Sequence, residues 1–180
     1  MSGMRAILDN YADLCRYCDS FFESVSGLYR DEIRCKRGCH ACCELHGVCA
    51  IEAHVLSAFL AARRRRTRIR TRRRAGGWCA LLFKGECLAY PARPVICRTH
   101  GAALRADRGK TVYSSCGRNF TTIAPASLPR SHVFDTAAVT GNLMRLNMAF
   151  CMAAGDARLA SMRFTMEQVQ SGALPERILP

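Results

Sequence analysis

The segment Cys35-Lys36-Arg37-Gly38-Cys39-His40-Ala41-Cys42-Cys43 places four thiols within nine residues. A cysteine is ordinarily a small buried hydrophobe met singly. Four in one short loop, with Gly38 to let the backbone turn back sharply, form a chelating arrangement. Downstream, Cys79, Cys87, Cys97 and Cys116 return further thiols toward it. Soft thiolates select zinc, copper(I) or iron–sulfur clusters over hard cations, and four thiolates close a tetrahedral zinc site. Eight could close two sites, or one site and one cluster. Cys42 and Cys43 are adjacent, and neighbouring side chains tend to diverge, so they are expected to serve two centres or two sides of one polynuclear centre. Metal binding of this kind also supplies folding energy, on the order of 10 kcal/mol for a structural zinc, which suits a middle region built of loops.

Other residues near these thiols have two readings. Arg93 and Arg98 bracket Pro94 and Cys97, and their guanidiniums are expected to offset thiolate charge and donate hydrogen bonds to sulfur. The bland alternative is two surface arginines. His40, His46 and His100 lie close to the cysteines, but eight thiols already suffice for ligation. His54 and His132 are read as surface residues. Cys15 and Cys18, three apart on one helix face, are read as packing, with a Cys-x-x-Cys half-site as the alternative. Cys49 and Cys151 are also read as packing. Glu52 and Asp107 are too isolated to assign as acid–base groups. Neither a glycine-rich nucleotide loop of the expected form nor an evident Ser-His-Asp order is present.

The 180 residues fit one domain with a moderate core. Hydrophobic residues make up 49% of the chain, yet no run approaches the ~20 apolar residues of a membrane span. The start lacks a basic stretch followed by an apolar one, so no secretory signal is read there and a reducing cytoplasmic setting is expected. In that setting twelve cysteines point to metal or redox chemistry, with disulfides the weaker reading. Nine arginines fall between Arg63 and Arg74, without which the net charge of +13 drops to +4. The basicity is therefore one local feature. It could bind RNA or DNA phosphate, or be a solvated helix end; it lacks the interleaved aromatics that stack bases.

These residues need elements to position them. Apolar residues at spacings of three and four predict a helix over Arg5 to Ile33, with Gly27 ending or bending it. A second helix is expected to start near Cys49, with Glu52 in its first turn, where negative charge suits the dipole. The run Ala80-Leu81-Leu82-Phe83, the turn signal Lys84-Gly85 and Glu86 to Tyr90 predict a hairpin or zinc-knuckle-like turn. Pro91 and Pro94 hold the chain extended up to Cys97. Gly101 to Lys110 reads as a polar loop. Helix resumes from Ser131 as N-cap, with Gly155 as a stop, and Thr165 with Gln168 is a capping-box pattern for a last short helix. The expected fold is mostly α: residues 1–180 as a single small helical domain around an irregular cysteine-rich middle, about 33–120, with at most a short β-hairpin. The flanks are an N-terminal helix 5–33 and C-terminal helices over 131–175.

Cys35-x3-Cys39-x2-Cys42-Cys43, then Cys79 and Cys87, then Tyr90-x2-Arg93-Pro94-x2-Cys97-Arg98, then Cys116, resembles the zinc- or iron-chelating cysteine-cluster proteins (YkgJ-like) over about residues 33–120. The doubled cysteine together with the Arg-Pro-x-x-Cys-Arg segment makes the resemblance specific. It implies that Cys35, Cys39, Cys42, Cys43, Cys79, Cys87, Cys97 and Cys116 are the metal-ligand set. Glu52 matches a recurrent acidic residue on the helix after the loop, and Arg-Thr-His-Gly at 98–101 and Cys-x-x-Asn-Phe at 116–120 resemble one branch of the family. Ala80, where the family often has proline, and the arginine run depart from the pattern. The family name leaves zinc against iron open. A related cluster occurs in flagellin lysine methylases, which use S-adenosylmethionine and hold an iron–sulfur cluster; the resemblance reaches that cluster region only.

Three functions compete at this point. One is a non-enzymatic metal-binding protein holding zinc or iron. Another is an iron–sulfur redox protein or a component of S-adenosylmethionine-linked methyl transfer. The third is a zinc-stabilised nucleic-acid binder using Arg63 to Arg74. A membrane partner is not expected, and neither substrate nor pathway is legible.

Overall fold

The structure is a computed structural model that describes residues 2–36, 38–64, 78–107 and 109–179. Most of the arginine run, the breaker Ala75-Gly76-Gly77 after it and the polyanion binding expected of it lie outside the described residues. Arg63 itself is described and donates to the Leu88 carbonyl oxygen at 3.0 Å.

Helix α1 runs over Ser2–Leu28. It begins three residues earlier than the apolar spacing suggested and ends at Leu28, directly after Gly27, instead of reaching Ile33. Its buried stripe is Tyr11, Leu14, Cys15, Cys18 and Val25, at the three- and four-residue spacing that puts side chains on one face. This face packs on α4 (Thr136–Ala153), and α1 also packs on the short helix α3 (Val95–Thr99). Strand β1 (Gly47–Val48) leads into α2, Ala50–Arg64. The first turn of α2 is buried, so its free N–H groups need partners. Buried Asn147 accepts from Ile51 N–H at 3.1 Å, and Ala53 N–H bonds the Cys49 carbonyl at 2.9 Å.

The expected hairpin is present as β2 (Leu82–Phe83) and β3 (Glu86–Cys87), with Leu82 opposite Cys87. Lys84 and Gly85 both take positive φ, 50° and 80°, as a two-residue hairpin turn matched to strand twist requires. Helix α3 is five residues, Val95–Thr99. The segment read as a polar loop instead contains β4 (Leu104–Asp107), antiparallel to β5 (Thr111–Ser114) and parallel to β6 (Phe134–Asp135). Its polarity has a structural reason: Arg105 pairs with Asp107 at 2.5 Å and with Asp135 at 3.3 Å.

Helix α4 spans Thr136–Ala153, and its N-cap is Asp135, not Ser131. A 3-10 turn takes up Arg130–His132, and Phe134 and Asp135 are claimed by pairing with β4. The Asp135 carboxylate then accepts from Ala137 and Ala138 N–H, both at 3.1 Å. Gly155, at φ 80°, follows the helix end as expected. Strand β7 (Phe164–Thr165) pairs with β1 and runs into α5, Met166–Ser171. The Thr165–Gln168 capping box is formed.

The fold is thus mostly helical. Alongside the expected hairpin, the described residues form two further small sheets. His54 and His132, read as surface residues, are half-buried. His54 Nδ1 lies 3.0 Å from the Ile178 carbonyl oxygen with its ring on Phe150, and His132 Nδ1 lies 2.7 Å from the Tyr29 hydroxyl. No helix among the described residues is long and apolar enough to cross a membrane.

Candidate metal centre

The twelve thiols sort by burial. Cys15, Cys18, Cys49 and Cys151 are buried in the core, as the packing reading expects. Seven of the other eight are half-buried, and Cys42 is exposed. Those eight lie on one irregular region joined by backbone and side-chain hydrogen bonds.

The cysteine loop is a series of tight turns. Cys39 N–H bonds the Lys36 carbonyl at 2.9 Å, Cys43 N–H bonds that of His40 at 3.0 Å, and Gly38 takes φ 86°. Cys79 N–H donates to the Cys43 carbonyl at 2.8 Å, which docks the hairpin segment on the loop. On the other side, buried Asn119 ties three strands of chain together. Its Oδ1 accepts from Arg34 N–H at 2.9 Å, and its Nδ2 donates to the Gly101 carbonyl at 2.7 Å and to Cys35 Sγ at 3.3 Å. Asn119 N–H bonds the Cys116 carbonyl at 2.8 Å.

The electrostatic neighbours of each thiol divide the eight into two groups. Burial pushes Cys35 up to about 11; the Asn119 amide opposes this, and Cys116, Cys39 and Cys42 add to it. Burial, then Cys79 and Cys87, push Cys97 up to about 12. Cys43 has Cys87, Cys79 and Cys97 as its neighbours. One neighbourhood is therefore Cys35, Cys39 and Cys116, the other is Cys43, Cys79, Cys87 and Cys97, and Cys42 lies beside both. They meet at the doubled cysteine. Cys42 and Cys43 do not simply diverge: they share a hydrogen bond that raises the Cys42 thiol and lowers that of Cys43. Cys42 also acts on Cys97, across the divide. Among the described residues no three His, Cys, Asp or Glu side chains are closed up to ion-holding separation. The thiols are gathered into neighbourhoods and carried mostly on loops and short strands. A set of soft, partly accessible sulfurs with amide and guanidinium donors beside them fits a thiophilic metal.

Those donors are not the ones expected. Asn119 reaches Cys35, and Arg118 Nη1 lies 3.8 Å from Cys39 Sγ. Arg98 and Arg93 instead hold Asp19 of α1. Arg98 Nη1 pairs with Asp19 Oδ2, and Arg93 Nη2 with Asp19 Oδ1 at 2.7 Å. Arg98 is 8% exposed and also donates to the carbonyls of Arg93 and Pro91, each at 2.9 Å. Arg93 still lies near enough to Cys87 to favour its thiolate, although burial raises that thiol. The reason for the difference is position: Arg98 follows Cys97 on a short helix packed on α1, so its side chain leaves on the α1 side. Sequence reasoning noticed Asn119 inside a motif and missed its role; an asparagine three residues past a ligand candidate was the available signal.

His40 is exposed, with Nδ1 3.0 Å from the Gly38 carbonyl and its ring against Trp78, centroids 5.9 Å apart. His46 and His100 are exposed. Glu52, 3% exposed, accepts from Val95 N–H at 3.0 Å and from Cys49 N–H and Sγ at 3.3 and 3.4 Å.

The model of the CxxCxxCC family, described as a putative zinc- or iron-chelating domain, matches residues 34–117, a span that contains all eight of these cysteines. No curated protein and no solved structure matches the chain.

Proposed function

We propose, for a chain whose residues 34–117 match the model of the CxxCxxCC zinc- or iron-chelating domain, that the eight thiols of this segment bind metal as two adjoining four-thiolate centres. Cys35, Cys39, Cys42 and Cys116 form one, and Cys43, Cys79, Cys87 and Cys97 the other. The observation that carries this reading is that thiols from separate parts of the chain gather in two neighbourhoods, Cys35 with Cys39 and Cys116, and Cys43 with Cys79, Cys87 and Cys97, with Cys42 beside both and Cys79 N–H bonded to the Cys43 carbonyl at 2.8 Å. Four thiolates complete a closed tetrahedral site, so the arrangement favours holding metal over presenting an open coordination position to a substrate. Asn119 and Arg118 donate to sulfur in the first centre and stabilise its thiolate charge.

Metal analysis of protein purified without oxygen tests this. Two equivalents of zinc or mononuclear iron per chain, or the larger iron content of two clusters, are expected, about halved in Cys35→Ser and in Cys97→Ser and lost in the double variant. Fewer than one equivalent in the wild type overturns the reading. Colour assigns the metal: a brown protein with broad visible absorption holds iron–sulfur, and a colourless one yielding zinc holds zinc.

A further inference from the structure

We propose that Asp19 and Glu52, neither of them among the candidate ligands, are positioning residues for Cys97; the inference rests on the two-centre reading above. Cys97 sits on α3, which at five residues is far too short to be stable alone. Two carboxylates from two long helices fix it. Glu52 of α2 accepts the first N–H of α3, that of Val95, at 3.0 Å through one oxygen. Its other oxygen accepts Cys49 N–H at 3.3 Å at the start of α2. The starts of α2 and α3 are therefore held by one side chain. Asp19 of α1 takes Arg98, the residue after Cys97, on one oxygen and Arg93 on the other.

Arg98 completes the clamp. It folds back on the carbonyls of Pro91 and Arg93 at 2.9 Å each, so the whole turn from Pro91 to Thr99 is cinched before it meets α1. The Cys97 thiol can then neither rotate with α3 nor slide along α1. The hairpin segment that carries Cys79 and Cys87 is held differently, by Gln170 on the Ala80 carbonyl and Arg63 on the Leu88 carbonyl, each at 3.0 Å, and Cys43 sits on the turn-rich loop. The clamp thus fixes Cys97 within its neighbourhood. Supporting groups of this kind around ligands are worth about 10–100-fold in metal affinity.

Anaerobic cobalt(II) titration with chelator competition, read by the thiolate-to-cobalt charge-transfer band, tests the assignment. The variants Asp19→Asn and Glu52→Gln keep side-chain shape, and Asp19 is 34% exposed, so the folded chain tolerates the first. Each is expected to weaken one of the two cobalt sites about 10–100-fold and leave the other at its wild-type affinity. In a Cys97→Ser background neither is expected to weaken the remaining site further, whereas in a Cys35→Ser background both still act. Equal weakening of both sites, weakening that persists in Cys97→Ser, or wild-type affinity at both sites overturns the inference. A general structural role would not produce this dependence on Cys97. Wild-type protein that takes up no cobalt overturns the metal-binding reading itself, a result distinct from a loaded protein indifferent to the two carboxylates.

Discussion

A methyl group on Gly101 would stand 2.7 Å from Cys35 Sγ and 3.2 Å from Asn119 Nδ2, on a backbone at φ 102°. The bare glycine therefore lets Cys35 and the Asn119 amide meet. Gly101→Ala is expected to displace that sulfur and remove about one metal equivalent, leaving the centre around Cys97 loaded; elemental analysis of the purified variant checks this. Asn119→Ala should act in the same direction with a smaller effect, about tenfold in affinity, because only a donor to sulfur is lost along with its bonds to Arg34 and Gly101. The acid–base behaviour of the thiols adds a further expectation. Cys35 and Cys97 are raised to about 11 and about 12, so both are protonated at neutral pH without metal. A metal must displace those protons, and its affinity therefore rises with pH. Zinc competition measured between pH 6 and pH 9 should show tightening at every step, with protons released into weakly buffered solution. Without metal the linkage has the opposite sign: groups raised in the fold stabilise it below their unfolded value and cost stability as pH climbs toward 11 and 12. An affinity flat across pH 6 to 9 would contradict the thiol assignment.

At the scale of elements, Asn147 shows how α2 is set in place. It is 1% exposed on α4, accepts from Ile51 N–H and donates to the Ala160 carbonyl, both at 3.1 Å. Asn147→Leu leaves both groups buried and unpartnered, at about 1–3 kcal/mol each. A fall in denaturation midpoint with the metal content of the folded protein unchanged is the expected result. The helices themselves were legible, since α1, α2 and α4 carry apolar stripes at helical spacing, and the Thr165 capping box and the Lys84-Gly85 turn are local chemical signals. Strand β4 was not legible, because its apolar–charged alternation covers only Leu104–Asp107 and its partners, 111–114 and 134–135, are set by tertiary pairing. The start of α4 was misplaced for the same reason. Ser131 and Asp135 are both good N-caps in isolation, and only the pairing of Phe134 with Leu104 decides between them. Spacing marked the eight candidate thiols, whose ligation is the proposal made above. The destination of Arg93 and Arg98 was not, because nothing local announces that Asp19, 74 and 79 residues away, waits on α1.

Across the whole molecule, two kinds of order coexist. The helices α1, α2 and α4 bury a shared apolar core that includes Phe134, Phe150, Ile51 and Leu56, each at most 1% exposed. The cysteine region adds Leu81, Ala89 and Val95 to that core, and the rest of it is turns, two-residue strands and a five-residue helix held by hydrogen bonds. Apolar burial at roughly 25 cal/mol per Å² stabilises the first without metal. The second depends on ligation, which for a structural zinc contributes on the order of 10 kcal/mol. Removal of metal by a strong chelator under reducing conditions should therefore loosen one part and spare the other. Amide hydrogen exchange is expected to accelerate across 35–46, 79–89 and 116–122, while the amides of α1 and α4 stay protected. Within the loosened part α3 should be the exception, exchanging more slowly than the hairpin beside it, because Glu52 and Asp19 hold it to helices that do not need the metal. Uniform exchange throughout the metal-free chain would mean that the helical core itself requires ligation. No change on metal removal would mean that the cysteine region is ordered by packing alone.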